Sequence, residues 1–160
     1  MRKILFPLLL LITTNAFSQI DHIKVLIGRP ESAIREYFDS LNHLKSNPAY
    51  RIDRDVAENG DLMLSVSFSL KDEDFYTCIG IAVVFIRISG GEEICRTQVV
   101  HGSSKNAQPN LAYIKDNYKY IKENYWERAI APGAKIGAEF KSEMVNNHSS
   151  YTIAYWAIME

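Results

Sequence analysis

The sharpest pattern in the chain is an alternation. Leu62, Leu64, Val66, Phe68 and Leu70 are apolar, and Ser65, Ser67 and Ser69 fall between them. A period of two predicts a strand with one face toward a core and the serine face toward water. Asn59-Gly60, just before it, is a hairpin signal, because both residues tolerate positive φ. Tyr50, Ile52, Arg54 and Val56 share one face of the preceding strand. Residues 75–88 are almost all apolar and rich in β-branched side chains, which predicts a central strand covered in part on both faces. Ser89-Gly90-Gly91-Glu92 then turns the chain into a returning strand, Ile94 to His101. Near the C-terminus Ala134, Ile136, Ala138, Phe140, Ser142 and Met144 alternate with mostly charged residues. After a polar turn at 146–149, Tyr151 to Met159 forms a last strand, apolar on both faces.

Two segments carry a helical period instead. Gly28-Arg29-Pro30-Glu31 is a helix start, with proline near the first helical position and an acid in the first turn. Ile34, Tyr37, Phe38, Leu41 and Leu44 then form one apolar stripe, which predicts a helix over 30–45 ended by Asn47-Pro48. Pro109 opens a second helix, over 109–128, with Leu111, Ile114, Tyr118, Ile121 and Tyr125 as its stripe. Residues 22–27 read as a short first strand or an extended lead-in. The expected fold class is α+β: an antiparallel sheet of about six strands with two amphipathic helices on one face, in the order α-β-β-β-β-α-β-β. The two helix-then-hairpin units hint at an internal repeat, without a residue-by-residue match.

The first 18 residues have a pattern of their own. Arg2 and Lys3 are basic, residues 4–12 are an apolar run broken only by Pro7, and Ala16-Phe17-Ser18 places small residues at the −3 and −1 positions of a cleavage site before Gln19. That is the three-part layout of a secretory signal peptide. The run is well short of the roughly 18 residues a spanning helix needs, and the leader has no cysteine to accept a lipid. The expected organisation is therefore a signal peptide over 1–18 and a single α+β domain over 19–160. The product would be exported, periplasmic or extracellular, soluble and not lipidated. No later segment is long and apolar enough to form a transmembrane span.

Composition narrows the function classes. Of 160 residues 47% are hydrophobic and 23% charged, which excludes a disordered chain. The formal charge is −1, and without Arg2 and Lys3 it becomes −3, with 16 basic residues against 19 acidic ones. Such a balance argues against nucleic acid as a partner. The hairpin register separates Cys78 from Cys95 by eight residues along the strand, roughly 26 Å at 3.3 Å per residue, so two free thiols are expected rather than a disulfide. Of His22, His43, His101 and His148, His43 has an acid four residues earlier, Asp39, which reads as a surface pair, and none has the companions of a metal site. There is no Gly-x-Ser-x-Gly, phosphate loop or dinucleotide fingerprint; His101-Gly102-Ser103-Ser104 reads as a polar loop. No catalytic residue, metal or cofactor is assigned.

Aromatic residues are the remaining unusual feature, with nine tyrosines and two tryptophans. Most belong to the helix–sheet core. On the predicted second helix, however, Tyr113 and Tyr120 are seven residues apart and lie opposite the apolar stripe. They form the expected exposed pair and the candidate partner surface. The favoured function is a small exported, non-catalytic binding, assembly or inhibitor module whose partner is another exported or envelope protein. The alternatives are a small hydrolase or transferase with a site assembled from distant residues such as His101, Asp53 or Glu139, and a carrier of a small apolar ligand. No motif ties the chain to a family.

Overall fold

A computed structural model of the chain describes residues 23–41, 50–56, 60–69, 78–87, 91–104, 107–145 and 148–159. The proposed leader over 1–18, residues 42–45 of the first predicted helix, its Asn47-Pro48 stop, Asn59, Leu70, and residues 75–77 and 88–90 lie outside these. Hairpin by hairpin, the alternating segments become strands. β1 (Arg51–Val56) pairs with β2 (Leu62–Ser69), β2 with β3 (Cys78–Arg87), and β3 with β4 (Glu93–Ser103), all antiparallel. α1 (Glu31–Ser40) precedes this unit, and α2 (Ala107–Asn117) follows it. The chain then forms β5 (Lys119–Lys122), β6 (Tyr125–Ala131), β7 (Ala134–Val145) and β8 (His148–Met159).

Among the described residues the sheet has eight strands, in the order β1-β2-β3-β4-β8-β7-β6-β5, rather than the expected six or so. Among the described residues the element order is thus α-β-β-β-β twice, and the two units join where β4 pairs with β8. The two extra strands span 119–131, of which 119–128 had been assigned to the second helix by the helical stripe. That helix ends at Asn117. Glu123-Asn124 makes a tight turn with Asn124 at φ 58, a left-handed conformation that asparagine tolerates and a helix interior does not. The segment at 23–27 is an extended lead-in and not a strand.

The period of two decides what is buried. Leu62, Leu64, Val66 and Phe68 are all buried, whereas Ser65 is half-buried and Ser67 exposed. Their ladder partners extend that face across the sheet through Val83 and Ile81, then Gln98 and Val100, then Tyr155 and Ile153. From α1, Ile34 and Phe38 are fully buried, and Glu31 bonds Arg54, the ladder partner of Leu64. From α2, Asn110 bonds Tyr151, the ladder partner of Gly102. Each large apolar side chain removed from water contributes about 1.5–3 kcal/mol.

Two buried amides stand out within that core. Gln98 is 0% exposed and holds the lead-in by both ends: its Oε1 accepts from Leu26 N at 2.8 Å, and its Nε2 donates to Lys24 O at 3.0 Å. Asn110 Oδ1 accepts from Ile23 N at 2.8 Å. Tyr37 of α1 takes Lys24 N at 3.3 Å. The lead-in is therefore a strap that meets β4, α1 and α2, with Ile23 and Leu26 as its buried anchors. Side chains satisfy these backbone groups of the strap. Gly28, at φ +80, turns the strap into α1 and donates to Cys95 O.

The β3–β4 register carries a bulge. From Ile79↔Gly102 to Val84↔Thr97 the paired numbers match a Gly90-Gly91 turn, but Cys95 then faces Phe85 rather than Ile86, with Arg96 as the extra residue. Cys95 is a free, buried thiol, and burial pushes its pKa up to about 12.

Candidate partner-binding surface

Shortening the second helix moves the two candidate tyrosines onto different elements. Tyr113 stays in α2, but Tyr120 belongs to β5, so they do not share a helix face. Tyr113 is half-buried rather than exposed, and Tyr120 is 60% exposed. Both nevertheless lie against one face of β6. Trp126 and Arg128, two residues apart, point the same way, and Trp126 is the ladder partner of Tyr120.

The geometry around that pair is close. Arg128 Nη1 donates to Tyr113 Oη at 3.1 Å, and its guanidinium carbon sits 4.9 Å from the centre of the Tyr118 ring. Tyr118 is edge-on to Tyr113 at 6.3 Å and tilted against Tyr155 at the same distance. Tyr120 is edge-on to Trp126 at 6.0 Å. Arg128 is half-buried, and among the described residues no carboxylate reaches its guanidinium. The Tyr118 hydroxyl is buried without a hydrogen-bond partner among them. A charge held in this way by ring faces and a phenol keeps most of its donors unspent.

Ionisation follows the same packing. Burial pushes the Tyr118 phenol up to about 12, with Arg128 pulling the other way. Tyr155 is raised well above the ordinary phenol value, by burial first and then by Tyr118, Tyr113 and Tyr151. Tyr151 rises to about 12 by burial, opposed by its bond with Asn110. At neutral pH Tyr118, Tyr151 and Tyr155 are therefore neutral phenols, with the Arg128 guanidinium over the Tyr118 ring. Arranged so, the cluster can accept a carboxylate and bury aromatic surface; it holds no nucleophile–base pair.

The residues named for an assembled catalytic site do not converge. His101 is on β4, with Nδ1 3.0 Å from Thr152 Oγ1. Asp53 is three strands away on β1, roughly 14 Å at the usual strand spacing. Glu139 is two strands away on β7 and pairs with Lys141 at 3.5 Å. A groove of about 310 Å³ lies between the strap and α1, lined by Lys24, Leu26, Arg29, Ala33, Glu36 and Tyr37. Among the described residues no three His, Cys, Asp or Glu side chains gather as metal ligands. No helix among them is long and apolar enough to cross a membrane.

No protein-family model, curated protein or solved structure matches the chain. The function must therefore be argued from the surface itself. Arg128 and Trp126 were missed in the sequence because they fell inside the predicted helix. The usable signal was the two-residue spacing of Trp126, Arg128 and Ile130 after Glu123-Asn124.

Proposed function

We propose that the protein is an exported, non-catalytic binding module that receives another exported or envelope protein at the β5–β6 edge. The carrying observation is Arg128: a half-buried guanidinium in an aromatic frame, met by no carboxylate among the described residues. Arginine, tyrosine and tryptophan dominate the few residues that carry binding energy at protein interfaces. Here they occur together beside exposed Tyr120 and Ile121. A partner that places an acidic side chain on Arg128 and packs an apolar residue against Tyr120 satisfies both features. The proposal also includes cleavage of the leader after Ser18, a single domain over 19–160, and both helices on the face of Leu64, Gln98 and Tyr151. Those helices leave the β5 edge uncovered.

The test is capture from the organism's own envelope fraction with wild-type, Arg128→Gln and Tyr120→Ala baits, each checked for folding by circular dichroism. Truncating one partner of a buried charge pair costs about 2–5 kcal/mol, so Arg128→Gln should reduce capture at least about 30-fold. Equal capture by folded variants would place the binding surface elsewhere.

A further inference from the structure

The sheet face opposite Leu64, Gln98 and Tyr151 carries a different arrangement. No helix or strap contact described above reaches it. The ladder row that begins at Asp55 on β1 ends at Lys119 on β5, and the row that begins at Asp53 ends at Lys122. All four charged residues are exposed. Between these edges the rows pass through apolar Met63, Val84, Val99, Ala154 and Trp156 and also through polar Ser65, Thr97, Glu127 and Glu139. Trp156 lies flat: a Cβ on Gly137 would come within 2.7 Å of its ring, so the indole occupies the place of the missing side chain. Tyr125 stacks on it at 5.6 Å and 11°.

We propose that this face is where two copies of the chain pair, sheet against sheet, about a two-fold axis running along the strands above the β4–β8 seam. That rotation lays β1 of one copy over β5 of the other. Asp55 then faces Lys119 and Asp53 faces Lys122, and the two-fold repeats both contacts at the opposite edge. The same operation sets Val84 against the indole that covers Gly137. Two pairs of ionic side chains on the face are already matched within each copy, Lys135 with Glu127 at 3.6 Å and Lys141 with Glu139, while Arg51 and Glu143 are exposed on the same face. Eight strands about 4.8 Å apart and averaging roughly nine residues make a face of roughly 34 by 29 Å. That is close to the ~800 Å² each partner contributes to a standard stable interface. Aligned sheets of this kind pack about 10 Å apart. The partner-binding edge around Arg128 points to the other side of the sheet and remains accessible in the pair.

Sedimentation equilibrium over a concentration series tests this directly. The natively processed chain should show twice the monomer mass, up to about 100 μM, where a micromolar dimer is saturated. Asp53→Lys with Asp55→Lys, and separately Lys119→Glu with Lys122→Glu, should each weaken the dimer at least about tenfold through like-charge contacts. An equimolar mixture of the two charge-reversed chains should restore a dimer, because each reversed edge then meets an opposite charge in the other copy. Val84→Arg, at the centre of the face, gives a second disruption should either double variant fail to fold. A monomeric wild type, double variants that dimerise as well as wild type, or a mixture that stays monomeric would each overturn the proposal.

Discussion

Replacing Gln98 with methionine should unfasten the strap while keeping the volume of the side chain. Gln98 is 0% exposed and makes two bonds to strap backbone, to Leu26 N at 2.8 Å and Lys24 O at 3.0 Å. Each such bond contributes about 1 kcal/mol net, and a buried donor left without a partner costs about 1–3 kcal/mol. Leu26 is 1% exposed, so its N–H has no water to turn to, whereas the bond to Lys24 O is only partly buried. The expected loss is therefore about 2–4 kcal/mol. With a urea slope of about 2 kcal/mol/M, the midpoint should fall by about 1–2 M at unchanged slope. Amide exchange gives the local readout: Leu26 N–H should be protected in the wild type and should exchange far faster in Gln98→Met. Gln98→Glu adds a sign. Burial raises the folded-state pKa of such a carboxyl above its unfolded value near 4.3, so the variant should be closest to wild type below that pH and lose stability as the pH rises through it. Ser67→Ala, at an exposed position, is the control and should be nearly silent. Equal midpoints for Gln98→Met and Ser67→Ala would refute the docking of the strap.

Three further outcomes follow from the same packing. Tyr118 and Tyr151 ionise near 12 when folded, Tyr155 higher still, and all three near 10 when unfolded. Above pH 10 the unfolded chain gives up protons that the folded one keeps, so stability should fall with rising pH by at most about 1.4 kcal/mol per unit for each tyrosine; a flat melting temperature from pH 9.5 to 11 would contradict their burial. Gly137→Ala should cost about 1–3 kcal/mol and shift Trp156 fluorescence, because its Cβ meets the indole at 2.7 Å, while Gly80→Ala, with nothing within 4 Å, should be neutral or stabilising; denaturation curves with the reverse order would contradict the cross-strand packing. Cys95, buried and with its pKa near 12, should react with a thiol reagent only after unfolding, and rapid labelling of Cys95 in the native protein would contradict its placement.

What could be read in the sequence was whatever repeats locally. The alternations from Leu62 to Phe68 and from Ala134 to Met144 became β2 and β7, and in β2 the apolar set is buried as expected, because a two-residue period needs no distant information. The segment from Lys119 to Ala131 misled because Tyr118, Ile121 and Tyr125 fall at helical spacing by coincidence, and because the bulge between Tyr120 and Lys122 breaks the strand period in a strand of only four residues. Asn124 was the missed turn. Gln98 and Asn110 could not be recognised as core residues, since their partners on the strap lie 72 and 87 residues away. The candidate site was half legible for the same reason. Tyr113 and Tyr120 were picked out by their spacing, yet what unites them is Arg128 and Trp126 across a hairpin rather than a shared helix face.

The central claim, that a partner docks at the β5–β6 edge, is tested most directly by a photo-crosslinking residue placed at Tyr120 and irradiated in the living cell. Tyr120 is 60% exposed, so the substitution leaves the core intact, and Val56, 61% exposed on the opposite edge strand, serves as the control position. The expected result is a discrete adduct with one envelope protein from position 120 and none from position 56, and loss of that adduct when Arg128→Gln is added to the same chain. No adduct at position 120, or an adduct that persists undiminished with Arg128→Gln, would contradict the account.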